Sequence, residues 1–188
     1  MSLELWNTVA ATGTFVVIAA TAVAATVQLR HMRGSNQILA LNEVRETLES
    51  ESFREAMRFV AQKLPALVAD ESQHARLVEV PRPRDLEPIS IVANFFEGMG
   101  AFVRYGIVDR RIACDLWGGV VLTHWRLLSP VIALNRAKFG TRVWENFEYV
   151  AVISEDFLAR FPEGTYPRAL RRMALDPVPR EEAAPERR

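Results

Sequence analysis

The longest feature of the hydrophobic pattern is an uncharged run near the N-terminus, from Leu5 to Leu29. The run holds 25 residues; as an α-helix it would extend roughly 37 Å, more than the roughly 30 Å hydrocarbon core of a bilayer. It therefore predicts a transmembrane helix over residues 5–29, with the lipid bilayer as its partner. Residues typical of this span are Leu5, Trp6, Phe15, Ile18 and Leu29, of which Trp6 suits a membrane interface.

The charges on either side of this run predict its orientation. Arg30, His31 and Arg33 follow it directly, whereas Glu4 is the only charged side chain before it. Because basic residues favour the cytoplasmic side, Arg30 and Arg33 place the rest of the chain in the cytoplasm. Residues 1–4 would then form a short extracytoplasmic N-terminus, and the expected location is the inner (plasma) membrane.

A cleaved signal peptide is the alternative interpretation of the same run. Ala22-Val23-Ala24 resembles a small-residue cleavage site. However, the first 29 residues contain no Lys or Arg, so the basic region that opens a signal peptide is missing. The apolar run is also longer than such a peptide needs, and a retained anchor is the preferred interpretation.

The next segment, residues 30–50, has the pattern of an amphipathic juxtamembrane helix. Its apolar side chains recur at spacings of three and four: Ile38, Leu41, Val44 and Leu48. No proline separates it from the span, so one helix can run from the membrane into the domain. Gly34-Ser35 is the weakest point of that helix.

Helical periodicity continues over residues 51–162 and predicts an all-α cytoplasmic domain of about four to five helices. Ser52-x-x-Glu55 predicts a capping box that begins a helix ended or kinked by Pro65. Ala66 to Val80 suggests one further short helix. Asp85 to Gly106 is clearly amphipathic and ends on a glycine.

Two more helices complete this domain. Asp109 is a suitable N-cap for a helix that reaches about Lys138. That helix is apolar nearly all round, which suits either a central helix or a second span; its Asp115, His124 and Arg126 favour the central helix. Arg142 to Phe161 forms the last helix. Residues 163–188, rich in proline and charge, are expected to be a flexible tail.

Composition excludes several classes of function. The chain has 23 basic and 23 acidic residues, so its net charge is zero and nucleic acid is not an expected partner. The single cysteine, Cys114, allows no intramolecular disulfide and suggests quiet burial. No Gly-rich phosphate loop, H-E-x-x-H or G-x-S-x-G motif is present. We assign no catalytic, cofactor-binding or metal-binding residue.

One polar constellation remains. Asn94, Glu97 and Arg104 share a stripe of the predicted helix from Asp85 to Gly106, and Glu145 and Glu148 belong to the last helix. If these two helices face each other, the five side chains can form a polar network within the bundle. The ordinary arrangement, in which a polar stripe simply faces water, is preferred. An enzyme hypothesis would build its site from Glu97, Arg104, Glu145 and Glu148.

Part of the sequence also resembles a known family. The residues that carry the resemblance are Asn94-Phe95-Phe96-Glu97-x-x-Gly100, Arg104-x-Gly106-x-Val108-Asp109, Trp125 and Trp144-Glu145-Asn146-Phe147-Glu148-Tyr149. They are similar to the bacterial membrane-protein family called domain of unknown function 4760. The resemblance implies a membrane location, one N-terminal span and a helical domain. It implies no activity, cofactor or catalytic residue.

These observations favour a membrane-anchored helical interaction or scaffold module, with a protein partner or a second copy as its ligand. The first alternative is a membrane-tethered sensor or regulator that signals through a continuous helix. The enzyme is the second alternative, and the motifs give it no direct support. The sequence does not identify a partner or a stimulus.

Overall fold

The computed structural model of the chain describes residues 3–174. Within that range it contains seven α-helices and no strand, so the all-α prediction is confirmed. The helices are α1 (Leu3–Glu49), α2 (Glu51–Gln62), α3 (Leu64–Ala69), α4 (His74–Leu77), α5 (Glu87–Arg104), α6 (Arg110–Phe139) and α7 (Glu145–Arg160). Of the predicted flexible tail, residues 175–188 lie outside the described residues.

Helix α1 is a single helix of 47 residues that passes through Gly34-Ser35 without a break. In the described part of the chain it is the one helix long and apolar enough to cross a membrane, and none of its apolar stretch is buried in the protein. Trp6, Phe15, Ile18 and Leu29 are all exposed. Leu5, Arg30 and Arg33 also lie in α1, but their side chains are outside the described set.

The domain begins where α1 packs against the core. Ala40 and Val44 are the first buried residues among those whose burial the structure describes, and Leu41 and Leu48 pack against the same core. The spacing of these four residues places them on one side of α1, as the amphipathic pattern indicates. One helix therefore contains both the apolar N-terminal run and part of the domain core.

The predicted start of α2 is wrong by two residues. Ser50, and not Ser52, is the N-cap: it adopts an extended backbone and its Oγ accepts a hydrogen bond from the N–H of Phe53. Ser52 instead lies within the first turn of α2 and is exposed. A single residue thus joins α1 to α2, so the chain turns sharply at Ser50.

The single short helix predicted over residues 66–80 is also wrong. The chain forms two short helices, α3 and α4, separated by a 3-10 turn at Glu71–Gln73. Asp70 ends the first helix, and its side chain accepts a hydrogen bond from the N–H of Ser72. Pro65 lies in the first turn of α3, where proline is tolerated because that N–H has no helical partner.

Helices α5, α6 and α7 form the centre of the bundle around a cluster of aromatic rings. Phe96 of α5 and Phe147 of α7 are fully buried and stack with ring centroids 4.9 Å apart. Trp125 of α6 meets the edge of Phe147 at 5.1 Å, and Phe53 of α2 contacts Phe96. Offset and edge-to-face pairs of this kind stabilise a core beyond the area that they bury.

Both predicted boundaries between α5 and α6 are confirmed. Gly106 has a positive φ of 70°, and the N–H groups of Gly106 and Ile107 bond to the carbonyls of Val103 and Phe102. This is the Schellman arrangement that a glycine after the last helical residue permits. Asp109 then caps α6 by accepting from the N–H groups of Arg111 and Ile112.

Helix α6 continues through Pro130 and ends at Gly140. Its inner side, which includes Val121 and Leu128, is buried, whereas its outer side is exposed. It is thus the central helix that was preferred over a second span. Helix α7 begins at Glu145 and not at Arg142, because Trp144 adopts a left-handed conformation with φ 54°.

Helix α5 meets the backbone of α7 at Gly100. A Cβ atom at that position would overlap the backbone carbonyl of Asn146. Gly98 lies two residues earlier on α5, and a Cβ atom there would have open space around it. Of these two glycines, only Gly100 is therefore required by packing.

We predict that Gly100→Ala and Gly98→Ala have opposite effects on stability. Gly100→Ala should lower the free energy of unfolding by about 1–3 kcal/mol, as expected for overpacking against backbone. Gly98→Ala should raise it by about 0.5–1 kcal/mol, because alanine is the better helix former. Unfolding of the full chain in detergent micelles, followed by circular dichroism, measures both. Equal effects of the two substitutions would contradict this account of the α5–α7 contact.

Candidate functional site

The polar stripe of α5 lies against the first turn of α7. Asn94 Oδ1 accepts a hydrogen bond of 2.9 Å from Trp144 Nε1. Glu97 and Arg104 contact the next residues of α7. The stripe does not simply face water, so the preferred interpretation of the sequence is wrong for these three residues, which join two helices.

Glu97 acts as a cap for α7. Its Oε2 accepts a 2.9 Å hydrogen bond from the N–H of Phe147, and its Oε1 accepts a 2.8 Å bond from Asn146 Nδ2. Phe147 is the third residue of α7, whose N–H has no partner within the helix. The side chain of the N-cap residue, Trp144, makes no capping hydrogen bond to α7. The Glu97 carboxylate on α5 therefore supplies the cap that the residues just before α7 do not. Its negative charge is also favourable at the N-terminus of α7, which is the positive end of the helix dipole.

Arg104 closes the same network on its outer side. Its Nη1 donates to Asn146 Oδ1 at 2.9 Å and to Glu145 Oε1 at 3.1 Å. The amide of Asn146 thus links Glu97 to Arg104, since it donates to one and accepts from the other. The side chains of Arg104 and Glu145 are each 42% exposed, so this ion pair contributes little to stability.

Glu148 belongs to a different contact. Its Oε2 lies 2.7 Å from Nη1 of Arg136 on α6, and Arg136 also donates from Nε to the carbonyl of Val143 and from Nη2 to that of Trp144. This arginine therefore holds the turn between α6 and α7. Of the five residues in the predicted constellation, the structure joins Glu97, Arg104 and Glu145 around Asn146. Asn94 bonds to Trp144, and Glu148 pairs with Arg136.

This arrangement is suited to joining helices. Both oxygens of Glu97 accept hydrogen bonds from α7, and Arg104 is paired with Glu145. The four residues of the enzyme hypothesis are divided between two separate contacts. In the described part of the chain, no group of three or more His, Cys, Asp or Glu side chains has the spacing to hold a metal ion.

Two buried titratable groups lie in the core nearby. Burial raises the pKa of the Cys114 thiol, which touches Ser154 and the carbonyl of Ile153; this matches the quiet burial expected of it. Burial also lowers the pKa of His124, whose ring lies 5.4 Å from that of Phe96 and whose Nδ1 is 2.9 Å from the carbonyl of Val120. Sequence reasoning missed the contact between His124 and Phe96, because that contact depends on how α5 and α6 pack.

Removal of the Glu97 carboxylate should cost much more stability than removal of its exposed neighbour. We expect Glu97→Ala to lower the free energy of unfolding by about 1–3 kcal/mol, because the N–H of Phe147 and the amide of Asn146 lose their acceptor. The matched control, Glu145→Ala, removes a half-exposed ion pair and should cost less than about 1 kcal/mol. Thermal unfolding of both variants is the measurement, and a Glu145→Ala effect as large as that of Glu97→Ala would contradict the capping role.

Burial of neutral His124 should make the domain sensitive to acid. The folded-state pKa lies below that of the unfolded chain, about 6.5, so the unfolded state binds more protons as pH falls through that value. We predict that lowering the pH from about 7.5 to about 5.5 destabilises the unchanged chain more than the His124→Phe variant. The difference between their changes in the free energy of unfolding should be on the order of 1 kcal/mol. Unfolding measured at both pH values tests this; a difference that does not change with pH would show that His124 is not the group responsible.

Comparison with known proteins supplies a family and no activity. No curated protein and no solved structure matches the chain. A family described as "Domain of unknown function (DUF4760)" matches residues 14–153, which is most of the chain and includes every residue of the network. The chain is therefore a member of the DUF4760 family, as the resemblance of its α5 and α7 sequences indicated.

Proposed function

We propose that the chain is a membrane-anchored helical interaction module. In this proposal α1 crosses the plasma membrane once, with its N-terminus outside, and the bundle of α2 to α7 lies in the cytoplasm. The apolar, exposed stretch of α1 supports the anchor, and the positions of Arg30 and Arg33 directly after it support the orientation. The bundle then binds a protein partner or a second copy.

The observation that carries the binding role is the outer side of α6. Ile112, Leu116 and Val120 follow one another at four-residue spacing and are all exposed, so they form one apolar stripe. We call these three residues the α6 stripe. The inner side of the same helix already supplies the core, so the stripe is not needed for folding. An exposed apolar row of this kind offers a contact surface to a protein partner.

The membrane anchor would favour such binding. A module confined to the bilayer meets other membrane-bound proteins at a raised effective concentration. A modest apolar stripe can then give stable association with a partner in the same membrane. A second copy of the chain meets this condition without any further component.

A sensor or regulator is the second candidate, and one observation favours it. Helix α1 has no break between its apolar stretch and the residues that pack in the domain core, Ala40 and Val44. Rotation or displacement of the span would therefore move core residues directly. An interaction module requires only the anchor, whereas a sensor also requires this rigid connection.

Substitution of the α6 stripe tests the proposed binding role. We expect Leu116→Glu to weaken association about tenfold or more, because a carboxylate would be buried in an apolar contact. The control is Val152→Glu on α7: Leu116 is 60% and Val152 is 52% exposed, so neither substitution should disturb folding.

Two measurements apply to these variants. Cross-linking of the full chain in vesicles reports self-association, and pull-down from solubilised membranes reports other partners. The proposal predicts that cross-linked dimer or a captured partner is lost in Leu116→Glu and kept in Val152→Glu. If the two variants and the unchanged chain behave alike in both measurements, the α6 stripe is not a binding surface.

A further inference from the structure

Helix α5 runs antiparallel to the domain end of α1. One groove between them is lined by Glu43 and Thr47 of α1 with Asn94 and Gly98 of α5. A second groove, closer to the apolar stretch, is lined by residues 36–43 of α1 with residues 102–107 at the end of α5. The C-terminal end of α5 therefore points back toward the anchor.

The start of α6 and the end of α7 lie close to this C-terminal end of α5. Helix α6 begins directly after this turn, and Arg110 and Arg111 at its start share a groove with Phe157 and Arg160 at the end of α7. The chain after α7 stays there as well: Thr165 donates a 2.7 Å hydrogen bond to Asp115, and Arg172 donates to the carbonyl of Glu163. We call this part of the bundle, residues 105–111 and 160–173, the anchor-side end.

The anchor-side end combines exposed apolar and aromatic side chains with arginines. Tyr105 and Ile107 flank the rigid Schellman turn at Gly106, so they are held at the surface and are not in a floppy loop. The exposed apolar and aromatic residues are Tyr105, Ile107, Tyr166, Leu170 and Met173. The arginines are Arg110, Arg111, Arg160, Arg168, Arg171 and Arg172. Aromatic and arginine side chains are those favoured at a membrane interface.

Two of the acidic side chains near this end accept hydrogen bonds. Asp109 caps α6 and Asp115 accepts from Thr165. Asp156 lies in the groove with Arg110, Arg111 and Arg160, and Glu163 is nearby in sequence. Among the described residues, none of the six arginines of this end pairs with an acidic side chain. Arg172 donates to the main-chain carbonyl of Glu163 and lies over the ring of Tyr166. The positive charge is therefore available to an external anion.

The length of α1 brings this end to the height of the lipid headgroups. Asn36, the first residue beside the turn, is seven residues beyond Leu29, which is about 10 Å along the helix. The headgroup layer extends about 5–8 Å beyond the hydrocarbon core. The uncharged run is longer than the core is thick, and such a helix fits by tilting. Tilt brings Asn36 closer to the hydrocarbon core than its distance along the helix.

We propose that the anchor-side end lies on the surface of the membrane that α1 crosses and binds anionic lipid headgroups through its arginines. The proposal rests on the anchor in the proposed function. Tyr105 and Ile107 enter the headgroup layer, and the arginines contact lipid phosphate. The bundle is then held to the bilayer at two points, which fixes the direction in which the α6 stripe faces.

Fluorescent labels at three positions test this contact in the full chain. Cysteine is introduced singly as Tyr105→Cys, Val80→Cys or Ile18→Cys and is labelled with nitrobenzoxadiazole. Tyr105 and Val80 are matched, since they are 73% and 74% exposed, but Val80 lines a groove with Phe139 at the opposite end of α6. Cys114 is buried, so the unchanged chain serves as the unlabelled blank.

The labelled chains are reconstituted in vesicles of phosphatidylcholine with phosphatidylglycerol, and in phosphatidylcholine alone. Nitroxide on the lipid headgroup quenches a label at the surface, and nitroxide on the acyl chain quenches one in the span. We expect headgroup quenching at Tyr105 to be several-fold stronger than at Val80, and stronger with phosphatidylglycerol than without it. Acyl-chain quenching at Ile18 should be strong in both.

The outcomes distinguish failure of the surface contact from failure of the transmembrane anchor. Quenching at Ile18 with equal headgroup quenching at Tyr105 and Val80 would overturn the surface contact and leave the anchor in place. Equal quenching at Tyr105 in the two kinds of vesicle would overturn the role of anionic lipid. Absence of acyl-chain quenching at Ile18 would overturn the anchor, and with it both proposals.

Discussion

The contact between α5 and α7 at Gly100 determines how the rest of the bundle is arranged. A glycine lets the backbone of Asn146 approach α5, and this approach brings Glu97 to the free N–H of Phe147. The same contact stacks Phe147 on Phe96. A side chain at position 100 would push the two helices apart and weaken the cap and the aromatic stack together.

The sequence predicted the helices well and their partners poorly. Periodicity and local caps found α5 and α6, because Gly106 and Asp109 act within their own turns. The start of α2 was misplaced because both Ser50 and Ser52 are suitable N-caps, and only the end of α1 decides between them. The start of α7 was misplaced because Trp144 adopts a left-handed conformation, which is uncommon for a bulky residue.

The candidate site shows more clearly that a sequence pattern does not reveal which helices meet. Asn94, Glu97 and Arg104 were recognised as a stripe, since that follows from helical spacing alone. Whether a stripe meets water or another helix depends on long-range packing, which spacing does not contain. Glu148 illustrates the point: it lies one turn from Glu145, yet it pairs with Arg136 across the α6–α7 turn.

The residues that carry the family resemblance are largely those of the α5–α7 contact. Asn94, Glu97, Gly100 and Arg104 meet Trp144, Glu145 and Asn146. This motif therefore specifies how the bundle is joined, and its polar groups are occupied by one another. Surfaces left available lie elsewhere, and they include the outer side of α6 and the anchor-side end. Because a partner must contact what the fold leaves exposed, the α6 stripe and the arginines near α1 are the places where a function of this chain is to be sought.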